Sequence, residues 1–331
     1  MAGQAGLFSK KRIRFMSVLD PYKNCRLCPR NCGVNRVYGG EKTRMGFCGE
    51  TCRLRVAYVG PHFGEEPPIT GNRGSGGVFF SGCSLKCAFC QNHQISHQGL
   101  GMIMGLEKLF EKVERMIRKD RVHNINFVTP DHFSPHVFKL VTLLREEGHN
   151  LPIIYNFSGY QSVEMLKAAA DYASIYLPDF KYSDPSLAGR LSKCPDYPAV
   201  ALEAIAEMIR QKGFLDNGLN RSGTARRGVL VRHLILPGKV ENSINALTSL
   251  FVEFGSGLPL SLMSQYHPAI YQKDGNLNRF VSEQEFDRVY SHSIELGFEH
   301  LFVQFPDKDS GLRSQRSSFF PDFRQPDPFS S

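Results

Sequence analysis

The chain has 331 residues, with 40 Lys and Arg against 32 Asp and Glu, for a formal net charge of +8. Hydrophobic residues make up 41% and charged residues 22%, which excludes a disordered or fibrous chain and leaves room for one large α/β domain or two ordinary ones. No apolar run reaches the roughly 20 residues of a membrane helix, and the basic start, Met1 to Arg14, lacks the apolar core of a secretory signal; the cytoplasm is the expected compartment, with no membrane partner.

Residues 1–20 read as a flexible leader holding the densest basic run, Lys10 to Arg14. The other basic residues are dispersed, which argues against nucleic acid as a partner. Residues 21–72 form a Cys-rich segment, loop-rich by its Gly and Pro punctuation. From 73 to 306, short apolar runs alternate with amphipathic stretches, the rhythm of a parallel β/α architecture. Strands are expected at Val78–Ser81, Ile125–Thr129, Ile153–Phe157, Ile175–Asp179, Val229–Leu236, Leu260–Gln265 and Leu301–Phe305. Helices are expected at Leu106–Arg118, Val137–Glu146, Ser162–Tyr172, Ala199–Gln211, Ser243–Phe254 and Ser282–Leu296. The first of these sets Leu106, Leu109, Phe110, Val113, Met116 and Ile117 on one face. Six or seven units are too few for a closed eight-fold barrel. The expected fold is therefore α/β: a partial, open β/α TIM-type barrel of about six strands behind the N-terminal Cys-rich loop segment. Residues 307–331 are rich in Ser, Asp, Pro and Arg, interrupted by Phe319, Phe320, Phe323 and Phe329. They read as a flexible tail that docks weakly or stays disordered.

Nine cysteines without a secretory signal point to metal binding rather than disulfides. Cys25, Cys28, Cys32, Cys48 and Cys52 form one group, Cys83, Cys87 and Cys90 a second, and Cys194 stands alone as an ordinary thiol. Cys83, Cys87 and Cys90 fall within eight residues, directly after the first expected strand. Thiolates are the soft ligands of zinc and of iron–sulfur clusters. A closed zinc site takes four protein ligands, for which His93 or His97 stands nearby. A cubane cluster on three cysteines instead leaves one iron open to a substrate. Amides of so tight a loop also point toward the sulfides and stabilise an anionic cluster.

The CxxxCxxC spacing, with Phe89 just before the third cysteine, resembles the signature of the radical S-adenosylmethionine superfamily. The resemblance implies a [4Fe–4S] cluster on Cys83, Cys87 and Cys90, whose open iron binds the amino and carboxylate groups of S-adenosylmethionine. One electron then cleaves the sulfonium, and the resulting 5′-deoxyadenosyl radical abstracts hydrogen. Further stretches look familiar: Cys25-Arg-Leu-Cys28-Pro-Arg-Asn-Cys32, Gly64-Glu-Glu-Pro-Pro, Tyr155-Asn-Phe-Ser-Gly-Tyr, Leu177-Pro-Asp-Phe-Lys-Tyr, Val231-Arg-His-Leu-Ile-Leu-Pro-Gly and Met263-Ser-Gln-Tyr-His-Pro. Over about residues 21–306 they resemble the PflX-type branch related to pyruvate formate-lyase activating enzymes.

In those activating enzymes a Gly-Gly-Glu-type motif at the end of the second strand receives the methionine amino group. Here Phe127-Val-Thr129-Pro130-Asp131-His132 stands instead, and Thr129 is implied to accept through its hydroxyl or carbonyl. The equal alternative is a plain turn in which Asp131 caps the next helix. Asn156 and Ser158 are implied near the ribose, and Asp179 and Lys181 match an Asp-x-Lys motif. Arg232 is implied to reach the cofactor carboxylate, which a guanidinium suits by donating two parallel hydrogen bonds. Its neighbour His233 points to the other face, as core. Gln265, Tyr266 and His267 fall in the adenine region, and Phe89 belongs to the cofactor set. The implied partners are an electron donor such as flavodoxin or ferredoxin and a substrate. That substrate is a glycine of a partner protein converted to a glycyl radical, or alternatively a small molecule or another peptide. The rival class is a zinc-stabilised module binding nucleic acid.

Cys25, Cys28, Cys32 and Cys48 suit by count a structural zinc or an auxiliary iron–sulfur cluster, with Cys52 a substitute or free. Four reduced thiols without metal are the alternative. The Gly-rich stretch 71–77 lacks the Lys-Ser/Thr ending of a phosphate loop and reads as a lead-in to the first strand. Glu65 and Glu66 read first as a solvated turn and second as substrate-facing carboxylates.

Overall fold

A computed structural model of the chain describes residues 16–40, 42–216, 223–306 and 320–329. The leader expected over 1–20 lies outside the described residues up to 15, and the tail expected over 307–331 lies outside them at 307–319 and 330–331. Helix α1 (Met16–Lys23) opens the described chain.

The strands are β1 (Arg55–His62), β2 (Ser75–Phe80), β3 (Met102–Ile103), β4 (Ile125–Val128), β5 (Ile153–Phe157), β6 (Ile175–Pro178), β7 (Gly228–Val229), β8 (Val231–Leu234), β9 (Leu260–Met263) and β10 (Leu301–Gln304). One sheet has the order β3-β1-β2-β4-β5-β6-β7 and the other β10-β9-β8. From β2 through β4, β5 and β6 to β7 the pairing is parallel, as it is from β8 through β9 to β10. β7 and β8 are separated by Leu230 alone, whose N donates to Tyr176 O at 3.1 Å, and a bridge between Asp179 and Arg232 carries the end of β6 onto β8. The parallel strands thus follow one another in chain order as an open β/α barrel. Counting β7 and β8 together, the described residues supply seven parallel runs, one for each of the seven expected strand ranges.

The strands β4, β5 and β6 are buried along their whole length. Their near-continuous apolar runs are what a parallel sheet covered on both faces requires. The six expected helices appear within a few residues as α4 (Leu106–Asp120), α5 (Ser134–Glu146), α6 (Val163–Ala169), α8 (Tyr197–Lys212), α9 (Val240–Phe254) and α10 (Glu283–Leu296). α4 buries Leu106, Leu109, Val113 and Met116, and stops where Arg121 turns left-handed at φ 53°. Helix α7 (Pro185–Ser192) was not anticipated, although its start is legible: Asp184 accepts from Ser186 N at 2.7 Å and Pro185 opens the first turn. Two single turns, α2 (Pro67–Thr70) and α3 (His93–Ser96), complete the set used below.

The loop-rich segment 21–72 also supplies a strand the sequence did not mark: β1 pairs antiparallel with β2, His62 lying opposite Ser75. β1 is only half covered, and its short apolar run, Val56-Ala57-Tyr58-Val59, sits in a segment otherwise punctuated by Gly, Pro and Cys, which masks it. β2 begins at Ser75 rather than Val78, so Gly76 and Gly77 are strand residues, while Gly71 and Gly74 precede the strand. A Cβ on Gly76 would sit 2.7 Å from Asn124 O, just before the neighbouring strand β4, so only glycine allows that approach.

Residues 320–329 return to the sheet. Phe323 packs with Phe79, Ile95 and Val128, and Phe323 N donates to Gln94 Oε1 at 2.7 Å. No helix of the described residues is long and apolar enough to cross a membrane.

Candidate functional site

The loop after β2 carries the three clustered cysteines, and the Cys-rich segment shapes it from below. Gly82 has φ 80°, and a Cβ there would lie 2.6 Å from Glu50 Cγ and 2.8 Å from Cys48 O. The loop backbone is thus pressed onto the Cys48–Glu50 turn, and Cys83 N donates to Cys48 O at 3.3 Å. Arg30 reaches over from the same segment, donating to Ser84 O at 2.9 Å, Ser192 O at 2.6 Å and Lys193 O at 2.5 Å. Its guanidinium stacks on Phe47 at 3.9 Å. Arg30 therefore ties the cysteine loop to the end of α7, a role no sequence signal announced.

Cys83, Cys87 and Cys90 line one chamber at the C-terminal ends of the parallel strands, where barrel enzymes build their sites. Burial pushes the Cys90 thiol up to about 11, with the Cys87 charge adding to the shift, and burial raises Cys83 further still. Ser96 Oγ donates to Cys90 Sγ at 3.3 Å and Leu85 N to Cys83 Sγ at 3.3 Å.

The eight residues singled out on the cofactor side, Phe89, Thr129, Asn156, Ser158, Asp179, Lys181, Arg232 and His267, line the same chamber. Thr129 adopts φ 56°, a left-handed conformation that β-branched residues avoid, and Thr129 N donates to Asn156 O at 2.9 Å. The backbone here does what a glycine would do with ease. Asp131 makes no helix cap, which corrects that alternative: it accepts from Ser84 Oγ at 2.8 Å and anchors the cysteine loop. Burial raises its carboxyl above the usual range.

Asp179 accepts from Lys181 Nζ at 2.5 Å and from Arg232 Nε at 3.0 Å. Burial opposes its ionisation, but Lys181 and Arg232 overcome this and hold the carboxyl below its ordinary value. Arg232 also donates to Asn156 Oδ1 at 2.6 Å and to Glu65 Oε2 at 3.2 Å. His233 is core, as expected, fully buried between Phe180 O at 2.6 Å and Ser243 Oγ at 2.9 Å. Tyr197 was missed: its hydroxyl donates to Ser158 O and Asp179 O at 2.7 and 2.9 Å and accepts from Lys181 N at 2.9 Å. One phenol thus fixes three chamber residues. Glu65 and Glu66 are not a solvated turn. The Glu65 side chain is 7% exposed and accepts from Asn126 and Asn156 at 2.8 and 3.0 Å.

Two buried polar atoms on the chamber wall, Ser158 Oγ and His267 Nδ1, have no hydrogen-bond partner. Such atoms are costly unless a ligand meets them. With three thiols on one side and a carboxylate, a guanidinium and two unpaired polar atoms on the other, the chamber fits a thiolate-held cluster beside a polar, zwitterionic ligand.

In the first cysteine group Arg36 is the hub, 1% exposed and donating to Cys25 Sγ at 3.4 Å. A Cβ on Gly46 would lie 3.4 Å from Cys48 Sγ, 3.7 Å from Cys32 Sγ and 3.5 Å from Arg36 Cδ, so this glycine keeps space between two sulfurs. Cys28 feels the charges of Cys48 and Cys25, and burial pushes its thiol up to about 12. Cys52 instead accepts from Tyr38 N at 3.4 Å. Among the described residues no three His, Cys, Asp or Glu side chains are drawn together closely enough to hold a single metal ion.

The sequence model of the radical SAM superfamily matches residues 78–247. An uncharacterized protein of Methanocaldococcus jannaschii is 26% identical over 277 residues, 81% of this chain and 73% of its own length. Among solved structures, the FeFe-hydrogenase maturase HydG from Carboxydothermus hydrogenoformans is 12% identical with a TM-score of 0.48, over 70% of this chain and 54% of its own. Streptococcus suis SuiB bound to S-adenosylmethionine is 10% identical with a TM-score of 0.44, over 67% of this chain and 48% of its own. The chain thus spans about half the length of these two solved structures.

Proposed function

Because the chain belongs to the radical SAM superfamily, we propose that Cys83, Cys87 and Cys90 hold its [4Fe–4S] cluster and that the adjoining chamber receives S-adenosylmethionine. That cluster and S-adenosylmethionine are the cofactors of the superfamily, and its enzymes need an electron donor. Bound together, they supply reductive cleavage of the sulfonium by one electron and a 5′-deoxyadenosyl radical for hydrogen abstraction. The observation that carries the reading is that three thiols and the eight residues implied by the resemblance line one chamber.

The chain's own residues bind, orient and exclude water. Lys181 lies close enough to Cys87 to offset thiolate charge, and Asp179 keeps it protonated. Arg232 has engaged three of its five N–H groups with protein, and the remainder suit a carboxylate. Ser158 Oγ and His267 Nδ1 offer unpaired polar atoms to the ribose and adenine. Thr129 offers its hydroxyl or carbonyl to the methionine ammonium. Phe89, with Tyr266 and Tyr182 at 6.1 and 6.3 Å, forms an apolar wall beside Cys90 that keeps water from a reactive species.

We place the chain in the PflX-like branch, in the cytoplasm, with flavodoxin or ferredoxin as donor and a glycine of a partner protein as substrate; a small molecule or another peptide is the alternative. The reading also gives Cys25, Cys28, Cys32 and Cys48 a second metal, zinc or iron–sulfur, supported by the space at Gly46 and the buried Arg36 that balances thiolate charge. One experiment tests both sites. Anaerobically reconstituted, reduced protein is incubated with S-adenosylmethionine, and 5′-deoxyadenosine and bound metals are quantified. Wild type is expected to form 5′-deoxyadenosine. Cys87→Ala is expected to lose more than about 100-fold of it, with the catalytic iron, while keeping the second metal. Full iron and full cleavage in Cys87→Ala would end the first assignment, and no metal left in that variant would end the second. Cleavage without a glycyl-radical signal in any candidate partner protein would leave the small-molecule or peptide alternative.

A further inference from the structure

A second compartment adjoins the chamber, with Asn156, Arg232 and Gln265 in both walls. Its far side is built by the turn after β1: His62, Glu65 and Glu66, with the Phe329 ring of the returning C-terminal segment 4.2 Å from the His62 ring. Of these, His62, Glu66 and Phe329 have no part in the proposed cofactor binding. Glu65 is fully employed, binding Asn126, Asn156 and Arg232. Glu66 is not: Ser261 on β9 hydrogen-bonds its carboxyl, yet Oε2 is buried and has no partner. His62 Nδ1 is likewise buried and unpartnered, while Nε2 faces Glu65 Oε1 at 4.0 Å. Burial, with Arg232 adding, lowers His62 to about 4, so the ring is neutral at pH 7. With its hydrogen on Nε2, toward Glu65, Nδ1 is a lone-pair acceptor. Two buried acceptors without donors therefore line one cavity. Among the described residues Glu65, Glu66 and Asp179 face two cationic side chains, Arg232 and Lys181; burial raises the Glu65 and Glu66 carboxyls above their ordinary value and Arg232 opposes it, so a further cation would favour their ionised form.

We propose that this compartment is the substrate subsite and that it takes a cationic nitrogen, an ammonium or guanidinium, hydrogen-bonded to Glu66 and His62 with its carbon chain against Phe329. The proposal rests on the radical SAM reading, since it sets the substrate beside the cofactor chamber through the shared wall at Asn156 and Arg232.

The test is titration calorimetry on anaerobically reconstituted holoprotein with S-adenosylmethionine bound. The probes are n-butylammonium, n-butylguanidinium, n-butanol and butyrate, and a blocked Gly-Arg-Gly peptide separates a protein-borne cation from a free one. At least one cation, free or in the peptide, is expected to bind about tenfold or more tightly than butanol and butyrate. Glu66→Gln is expected to erase that preference, as is His62→Phe should Glu66→Gln fail to load its cluster. Equal binding of all probes, preference for butyrate, or no cation binding overturns the proposal. A wild type that takes up no cluster or no S-adenosylmethionine, measured on the same samples, counts against the radical SAM assignment of the chamber instead.

Discussion

Thr129 is where the site stores backbone strain. A β-branched residue at φ 56° costs about 1–2 kcal/mol relative to a relaxed conformation. It persists because Thr129 N is bound to Asn156 O and the next residues anchor the cysteine loop through Asp131. Thr129→Gly should therefore raise unfolding free energy by about 1 kcal/mol in a urea titration. An unchanged or lower midpoint would mean that the conformation is relaxed and the threonine contributes packing. Asp179 and Arg232 illustrate a different point. Each was read as a ligand-facing side chain, and each lines the chamber, but both are also members of one buried charge network with Lys181 and Glu65. Such networks orient their members at the cost of desolvation, so their partners are inseparable from their role.

Between elements, the decisive contact is that of the Cys-rich segment with the cysteine loop. Arg30 spans from the first cysteine group to the carbonyls of Ser84, Ser192 and Lys193, three acceptors that no other side chain among the described residues is seen to satisfy in this way. Replacing it leaves the barrel strands untouched but frees the loop that holds the thiols. Arg30→Met should keep its far-ultraviolet circular dichroism while losing bound iron several-fold faster during anaerobic gel filtration. Iron retention equal to wild type would show that the loop holds its shape unaided. The returning segment 320–329 acts on the opposite side, where Phe329 and Phe323 close an aromatic cluster over Phe79.

The whole molecule carries several histidines that fold neutral. Burial, with Arg36 adding, lowers His132 to about 3 and His136 to about 4, and burial lowers His233 to about 4. Unfolded, each titrates near 6.5. Between those values the unfolded chain binds more protons than the folded one, so stability falls as pH drops from about 6.5 toward about 4 and is fully present above it. Each site contributes up to about 1.4 kcal/mol per unit of depression, so the combined loss is on the order of several kcal/mol. Urea midpoints at pH 7.5 and 5 measure it, and coincident midpoints would contradict the neutral burial of these rings.

The local sequence carried the parallel strands, six of the helices and the cysteine spacing, because buried strands, amphipathic faces and a three-thiol loop are written in short runs of residues. It also carried the eight chamber residues, through a resemblance anchored at strand ends that the barrel brings together. It did not carry β1, whose short run lies among Gly, Pro and Cys punctuation, nor the positions whose meaning comes from distant neighbours. Arg30, Tyr197 and Asp131 bond across 162, 39 and 47 positions of chain, and nothing local marks an arginine as a clamp or a tyrosine as a tie. Glu65 and Glu66 followed by two prolines look like any exposed turn. The antiparallel pairing of β1 with β2 brings that turn against the parallel strands, where Glu65 is buried against Arg232 and a surface-like carboxylate becomes part of a cavity wall.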